Sequence, residues 1–463
     1  MRLAAGLAAV IVAAAILLLG PPASQSSPGE AAIRRALAAG TGVIELPAGS
    51  IEIAAEIEIP SGAHDLEIRG ALSGTTLHAA DHFRGRAIFR CERATRVRFS
   101  NFSVDGNRGA LERRAGLPGF STTFARFAWG NGILAVRSES LAISQVRFAN
   151  IAGFAVLVSH SHGITIDGVR IENSGSRTAA GRNNTTGGIL LEEGTRDFAV
   201  IHCDLINVRG NGVWTHSLAT AASNSNGSIA ENHFARIGRD AIQVGQGTSV
   251  RVEDNRGSEI GLPLEDVDIE HGATPVAIDT AGNTTRSGYA RNIFEEVNGK
   301  CIDLDGFHHG EVRANACINR FGADHYPFGN QGIVLNNSDP SMRSEWIELT
   351  DNQLDGTLYS GIFVIGEHHH IVRNRLRRIN LAHCGGAGAK PGCTYAPDQP
   401  DLLRAGIYLA ERAERPAPAQ ANLIEANEIS GFGMSFHCIA AAPGVSLAAN
   451  TIAHNTCQDD PAQ

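Results

Sequence analysis

Asparagine returns at one position of this sequence at a nearly constant interval. Each asparagine stands two residues before an apolar or small residue, and several intervals are 22 or 23 residues. Asparagine tolerates the left-handed backbone, and stacked asparagines can bond from one repeat to the next. The column predicts stacked equivalent units. Its expected members are Asn232, Asn255, Asn292, Asn315, Asn352, Asn374, Asn427 and Asn450, continued upstream by Ser100, Ser144, Asp167 and Cys203.

A second repeated pattern lies upstream of each asparagine. It consists of a small residue followed by apolar residues at alternate positions, which is typical of a strand with one face turned inward. Short strands that recur every 22 or so residues cannot bury a face alone, so stacking them predicts a solenoid. The pattern occupies residues 188–192, 212–216, 241–244, 275–279, 301–305, 332–336, 361–364 and 406–409.

Together the two patterns resemble the right-handed parallel β-helix of the pectin-lyase-like superfamily, over roughly residues 40–455 and about a dozen coils. The resemblance implies an all-β solenoid that forms a single domain over residues 28–463. Residues 28–39 are expected to form an amphipathic cap helix over the open edge of the first coil. Residues 43–49 resemble the usual beginning of that coil. Motifs of this superfamily specify fold well and chemistry poorly.

The N-terminal segment predicts export. Arg2 precedes the apolar residues 3–19, so residues 1–27 read as a signal peptide or membrane anchor, with the remainder outside the cytoplasm. Eight cysteines agree with an oxidising compartment. The expected disulfides are Cys384–Cys393 and Cys438–Cys457, whereas ordinary core packing is expected for Cys91, Cys203, Cys301 and Cys317.

The outward positions of the repeated strand bring carboxylates together. In the superfamily the substrate groove usually follows this strand, and here its middle carries Asp279, Asp303 and Asp305. We expect Asp279 to stand directly beside Asp305, with Asp303 one outward step along. Three carboxylates in contact repel unless a cation or a shared proton compensates, so Ca²⁺ is the candidate cofactor. Lys300 is the only lysine near this groove.

Other outward residues supply the elements of a glycan groove. Aromatic faces pack on pyranose rings, and polar side chains orient them. The candidate substrate-binding residues are Glu192, Trp214, His216, Gln243, Asn336, Phe363 and Tyr408. His308 and His309 follow the central strand and are candidate acid–base residues, and Asp339, Glu367 and His368 could be their neighbours in a zinc-type site. Solvated loop histidines are the ordinary alternative.

Insertions are expected on the other rim, before the strand, where long loops commonly wall a groove. They cover residues 107–130, 174–186, 258–274, 321–330 and 382–404. Two carry arginines that could meet an acidic sugar, and the third is acidic. The residues concerned are Arg113, Arg114, Arg177 and Arg182, and then Glu259, Glu265, Asp266, Asp268, Glu270 and His271.

Three functions compete. The first is a polysaccharide lyase that removes the proton beside a uronate carboxyl, with Ca²⁺ on the aspartates and Lys300 as the base; uronate C5-epimerisation shares that step. The second is a glycoside hydrolase using Asp303 and Asp305, although the adjacent aspartates and Gly-His-Gly of polygalacturonases are absent. The third is a non-catalytic glycan-binding or surface protein. The superfamily favours the lyase, whereas the residues themselves favour the hydrolase.

The net charge of −9 and a sequence pI near 6.1 argue against nucleic acid as the partner. The expected partner is a polysaccharide or oligosaccharide. Membrane contact is expected only through the N-terminal segment, and the protein is expected to be a monomer.

Overall fold

The structure is a computed structural model that describes residues 26–113, 122–177, 186–267, 274–393 and 398–460. The N-terminal apolar segment lies outside these residues, as do Arg114, Arg182, Asp268, Glu270 and His271. In the described part, no helix is long and apolar enough to cross a membrane.

The strands stack in parallel into three long faces, so that the chain winds as a β-helix. The first sheet contains the second halves of Gly49–Ile59 and Thr75–Glu92, then Asn131–Val136, Phe154–Ser159, Gly187–Glu192, Asn211–His216, Ile242–Val244, Val276–Thr285, Lys300–His308, Ile333–Asn336, Ile362–Val364, Ile407–Leu409 and Ile439–Ala441. The second sheet contains Gly42–Glu45, His64–Arg69, Thr95–Ser100, Glu139–Ser144, His162–Asp167, Arg196–Ile201, Asn224–Ala230, Gly247–Glu253, Gly288–Ala290, Gly310–Arg313, Ile347–Thr350, His370–Val372, Leu423–Glu425 and Thr451–Ala453. The third sheet contains the first halves of Gly49–Ile59 and Thr75–Glu92, then Ser103–Asp105, Arg147–Ala149, Arg170–Glu172, Asp204–Val208, His233–Ile237, Arg256–Ile260, Ile293–Val297, Ala316–Ile318, Gln353–Asp355, Arg375–Ile379, Glu428–Gly431 and Thr456–Asp459.

The predicted cap helix is present as Pro28–Leu37. The Ser27 hydroxyl accepts a hydrogen bond from the Glu30 backbone N–H at 3.1 Å, which caps the helix. Ile33 and Leu37 are buried with the interior of the first coils. The buried Glu30 accepts a hydrogen bond from Ala54 N at 2.8 Å, so the helix is fastened to the strand Gly49–Ile59. The helix therefore covers apolar residues at the open end of the solenoid.

The other helices within the described ranges are single turns in the connections. They are Arg108–Leu111, Phe124–Phe127 and Met434–His437, with 3₁₀ turns at Leu264–Asp266, Ala323–His325 and Leu447–Ala449.

The asparagine column is an interior ladder whose members differ from those expected at both ends. Asn232 Nδ2 donates to Asn255 Oδ1 at 2.9 Å, and the same link repeats from coil to coil. The last member is Asn455 rather than Asn450, because Asn427 Nδ2 donates to Asn455 Oδ1 at 2.9 Å whereas Asn450 accepts from Asn422 N. The complete ladder is Asn232, Asn255, Asn292, Asn315, Asn352, Asn374, Asn427 and Asn455.

Upstream, only Cys203 continues the column as expected, since its backbone N–H donates to Asn232 Oδ1 at 2.9 Å. Ser100, Ser144 and Asp167 stand two residues earlier, at the ends of second-sheet strands that pair with one another. The column itself passes through Val169, Val146 and Phe102, whose carbonyls occupy the equivalent place in the coil-to-coil bonding. At this interior position the early coils therefore carry apolar side chains, whereas the later coils carry asparagine.

Three disulfides are formed. Cys384–Cys393 and Cys438–Cys457 agree with the prediction. The expectation of core packing for Cys301 and Cys317 was wrong, because these two residues form the third disulfide. They lie in the first-sheet and third-sheet strands of one coil, with their Cα atoms 5.9 Å apart. Cys91 and Cys203 are buried free thiols, as expected.

The insertions bond to one another on the rim between the third and first sheets. Arg177 and Arg209 both contact Asp266 Oδ1, at 2.9 and 3.2 Å, and Arg209 Nη1 lies 3.3 Å from Glu112 Oε1. Arg113 instead lies over the ring of Trp129, 5.1 Å from its centroid. Arg177 is therefore engaged in an inter-loop ion pair.

Candidate functional site

One row of outward side chains runs along the first sheet at equal heights. Strand register aligns Leu190, Trp214, Gln243, Asp279, Asp303, Val334, Phe363 and Tyr408. Asp279 is thus beside Asp303, and Asp305 is one outward step along, which reverses the expected placement. The reason is that Ile278 pairs with Ile302. The strand after the 258–274 insertion is therefore displaced by two residues from the register that the repeated pattern predicts.

Asp279 is an outward carboxyl that has been almost completely covered. Its neighbours Ile278 and Thr280 face the interior, where the Thr280 hydroxyl bonds Tyr289 at 2.7 Å, yet Asp279 is only 7% exposed. Gln243 Nε2 donates to Asp279 Oδ2 at 2.5 Å, and Asn211 Nδ2 donates to Gln243 Oε1 at 2.6 Å. Burial, then repulsion from nearby carboxylates, raises the pKa of Asp279 well above its ordinary value.

Asp303 has a different partner. Lys300 Nζ forms an ion pair with Asp303 Oδ2, and the lysine side chain is 17% exposed. Burial lowers the pKa of Lys300, but attraction to Asp303, Asp279 and Asp240 outweighs it and leaves that pKa raised. The other oxygen, Asp303 Oδ1, is buried without a hydrogen-bond partner among the described residues. Lys300 is therefore a charged residue fixed by its ion pair with Asp303, whose Oδ1 remains unsatisfied among the described residues.

Asp240 is a third carboxyl of this cluster that the sequence analysis missed. It accepts a hydrogen bond from Val276 N at 3.1 Å, and Arg239 Nε lies 3.4 Å from its Oδ2. Burial raises the pKa of Asp240 to about 6, although Arg239 favours the charged form. A signal was present, because Asn211 and Asp240 both stand immediately before the small residue that opens a strand.

Asp305 faces away from this cluster towards the following turn. Both of its oxygens are engaged by Ser338, one by the backbone N–H at 2.7 Å and the other by the hydroxyl. Burial raises the pKa of Asp305, and the Ser338 bonds offset part of that rise. Asn336, its partner on the next strand, accepts a hydrogen bond from Asn337 N at 2.8 Å.

These residues do not suit the Ca²⁺ site that the sequence suggested. The ammonium of Lys300 stands where a cation would balance Asp303, and Asp305 is occupied by Ser338. Ca²⁺ binding by Asp279, Asp303 and Asp305 stays a prediction.

The upper end of the row is covered by the helix Phe124–Phe127. Glu192 is fully buried and accepts hydrogen bonds from Phe124 N and Ala125 N at 2.8 and 2.7 Å. Burial raises its pKa to about 7. Phe124 also meets the half-buried Trp214 and His216, with ring centroids 4.9 and 5.3 Å away. Glu192 therefore fastens a loop rather than facing a groove, and Trp214 is engaged in inter-coil packing.

The lower end of the row is covered as well. Phe363 and Tyr408 stack with centroids 6.1 Å apart, and Tyr408 is fully buried. The Tyr408 hydroxyl lies 3.1 Å from Gln399 Oε1, on the insertion that precedes its strand. Gln243 is also buried. The prediction of exposed aromatic side chains in this row was wrong, because the insertions fold over the outward face of the first sheet.

The histidines lie beyond the bend at Gly306. A side chain there would meet Met342 Cγ at 2.8 Å, and the backbone φ is +78°, so glycine is required. His309 and His368 share Trp346, which stacks on His368 with centroids 4.3 Å apart. Asp339 bonds Ser341 instead of a histidine, and Glu367 bonds Gln420.

The fold is shared with known proteins. A family model described as "Right handed beta helix region" matches residues 88–261. This chain is a right-handed parallel β-helix. No curated protein matches it by sequence.

Among solved structures, the β-helix resembles PfbA, a surface adhesin of Streptococcus pneumoniae, with TM-score 0.55 and 14% identity over 76% of this chain and 88% of that one. It resembles a polygalacturonase from Erwinia carotovora with TM-score 0.50 and 14% identity over 74% and 93% of the two chains. It also resembles the catalytic domain of a GH87 α-1,3-glucanase, with TM-score 0.50 and 13% identity over 94% and 68%. At these identities the likeness concerns the fold.

Proposed function

We propose that this β-helix hydrolyses glycosidic bonds of a polysaccharide, with Asp279 and Asp303 as the reacting carboxyl groups. One observation carries the proposal: two carboxyls on adjacent coils have opposite surroundings. Asp279 is buried beside other acids and its pKa is raised, whereas Asp303 touches an ammonium. An acid that keeps its proton can protonate the leaving oxygen, and an ionised carboxylate can attack the anomeric carbon or activate water.

Lyase chemistry, which the sequence analysis placed first, has less support. The base expected for elimination is Lys300, and its raised pKa keeps it protonated. A base must be unprotonated to remove a proton beside a uronate carboxyl. The same argument applies to C5-epimerisation. Two structural neighbours named as hydrolases, a polygalacturonase and a glucanase, fit the hydrolase proposal.

The second candidate is a non-catalytic surface protein that binds glycans. It is favoured by the burial of Asp279 and Asp303, each 7% exposed, and by the covered aromatics of the row. An adhesin among the structural neighbours fits this function. Either function is proposed to operate outside the cytoplasm, since three disulfides are typical of an oxidising compartment.

The test follows reducing ends and the ultraviolet absorbance of unsaturated uronates together, on a panel of acidic and neutral polysaccharides. We expect reducing ends alone to rise. Asp279→Asn and Asp303→Asn should each lower the rate by about 10²–10⁴-fold. Asp324→Asn, at an exposed carboxylate paired with Lys390, is the control. Ultraviolet absorbance that rises with the reducing ends would establish elimination instead. Glycan binding without any product would establish the surface protein.

A further inference from the structure

Two histidines and a glutamate converge on the turn that follows the first sheet, outside the carboxylate cluster. His308 ends the strand Lys300–His308, and His309 follows it with a left-handed backbone at φ 51°. Glu345 belongs to the next coil, where its carbonyl accepts a hydrogen bond from His309 N at 3.0 Å. One ligating atom from each of the three side chains lies within 4.8 Å of the other two.

The two imidazole rings approach each other through their Nδ1 atoms. His308 Nδ1 and His309 Nδ1 are 3.0 Å apart, and the ring planes are inclined by 83°. Two neutral rings can place only one proton between these nitrogens, whereas a metal ion accepts a lone pair from both. In a tetrahedral zinc site, bonds of about 2.05 Å set two nitrogens about 3.3 Å apart. The observed separation is near that value.

Glu345 already has one cationic neighbour. The competing cation is Arg343, whose Nη1 is 3.4 Å from Glu345 Oε1. The Arg343 side chain is 71% exposed, so releasing it into water costs little.

We infer that His308, His309 and Glu345 bind one divalent transition-metal ion, of which Zn²⁺ matches best. Two imidazoles and one carboxylate are ligands that zinc accepts, and three protein ligands leave a fourth position for water or another ligand. Glu345 comes from a different coil than the histidines, so the ion would join two coils and raise the melting temperature. This site is independent of the proposed hydrolase.

The experiment titrates the purified, chelator-treated protein with ZnCl₂ by calorimetry, and with Co²⁺ followed by visible absorption. We expect one equivalent of metal and a tetrahedral Co²⁺ spectrum. His309→Ala and Glu345→Gln should each weaken binding about tenfold or more and abolish the Zn²⁺-dependent rise in melting temperature. The matched control is His454→Ala, which removes an exposed histidine 3.1 Å from a single carboxylate, Glu425, and should bind like the unaltered protein.

Absence of Zn²⁺ binding by the unaltered protein would overturn the inference, as would unchanged binding in His309→Ala. Binding that survives His309→Ala but is lost in His216→Ala would locate the ion at Glu192, Glu193 and His216, the other convergent set, and would also overturn it. Circular dichroism of each variant separates loss of ligands from loss of fold, and Glu345→Gln preserves the volume of the side chain if His309→Ala does not fold.

Discussion

Removing one rung from the middle of the asparagine ladder should cost far more stability than removing the last rung. Asn292 is fully buried, and its Oδ1 accepts from Asn255 N and Nδ2 at 3.1 and 2.9 Å. Its Nδ2 donates to Val252 O and Asn315 Oδ1, both at 2.8 Å. Asn292→Ala leaves two buried N–H bonds without an acceptor, the backbone N–H of Asn255 and one N–H of its Nδ2, whose other N–H still donates to Ile229 O. At about 2 kcal/mol for each orphaned donor, we expect a loss of about 4 kcal/mol.

The matched variant is Asn455→Ala. Asn455 accepts from Asn427 N and Nδ2, each at 2.9 Å, and donates to Ile424 O, so its bonds are nearly the same. It is half-buried, however, and water can replace the lost partners. We expect a loss of about 1 kcal/mol there. Urea unfolding followed by circular dichroism measures both variants. Equal losses, or a loss below about 1 kcal/mol for Asn292→Ala, would refute the idea that ladder energy depends on the absence of water.

Two further predictions concern stability. Replacing Cys301 and Cys317 together by serine opens a loop with a sequence separation of 16 and should cost about 3 kcal/mol in urea unfolding; equal stability of the oxidised parent and the variant would contradict it. Asp240 has a pKa of about 6 when folded against 3.8 ordinarily, so its stabilising protonated form is complete below pH 3.8 and is lost as the pH rises towards 6. Asp240→Asn keeps the acceptor for Val276 N, and the fall in stability between pH 4 and pH 8 should shrink by about 2 kcal/mol. An unchanged pH profile would show that Asp240 does not control this dependence.

Period and alternation were enough to predict the solenoid, because every coil repeats the same burial requirement. It was harder to predict which residue of each coil occupies the ladder position. Asn450 and Asn455 are equally suited to the ladder, and the choice between them depends on the length of the last turns rather than on residue type. Ser100 and Asp167 resemble ladder residues in chemistry but end strands of another sheet.

The sequence predicted where the candidate site lies, but not which of its side chains are neighbours. The strand that carries Asp279 follows an insertion, and no local signal reveals that its register shifts to bring Asp279 beside Asp303. Alternation correctly gave Tyr408 and Glu192 outward positions. It contains no information on which loops then cover them, because that depends on contacts such as Glu192 with Phe124 and Ala125, nearly seventy residues away.

The loop ion pairs have a mechanical consequence. A stack in which each coil touches only its neighbours can unravel from an end, one coil at a time. Glu112, Arg177, Arg209 and Asp266 precede four different strands of the first sheet, and the outermost of these, Asn131–Val136 and Val276–Thr285, are separated by several coils. A pulling force that reached this segment would have to break the shared contacts before any of its coils could detach singly. These coils would therefore yield as one block, and the solenoid on either side would peel away coil by coil.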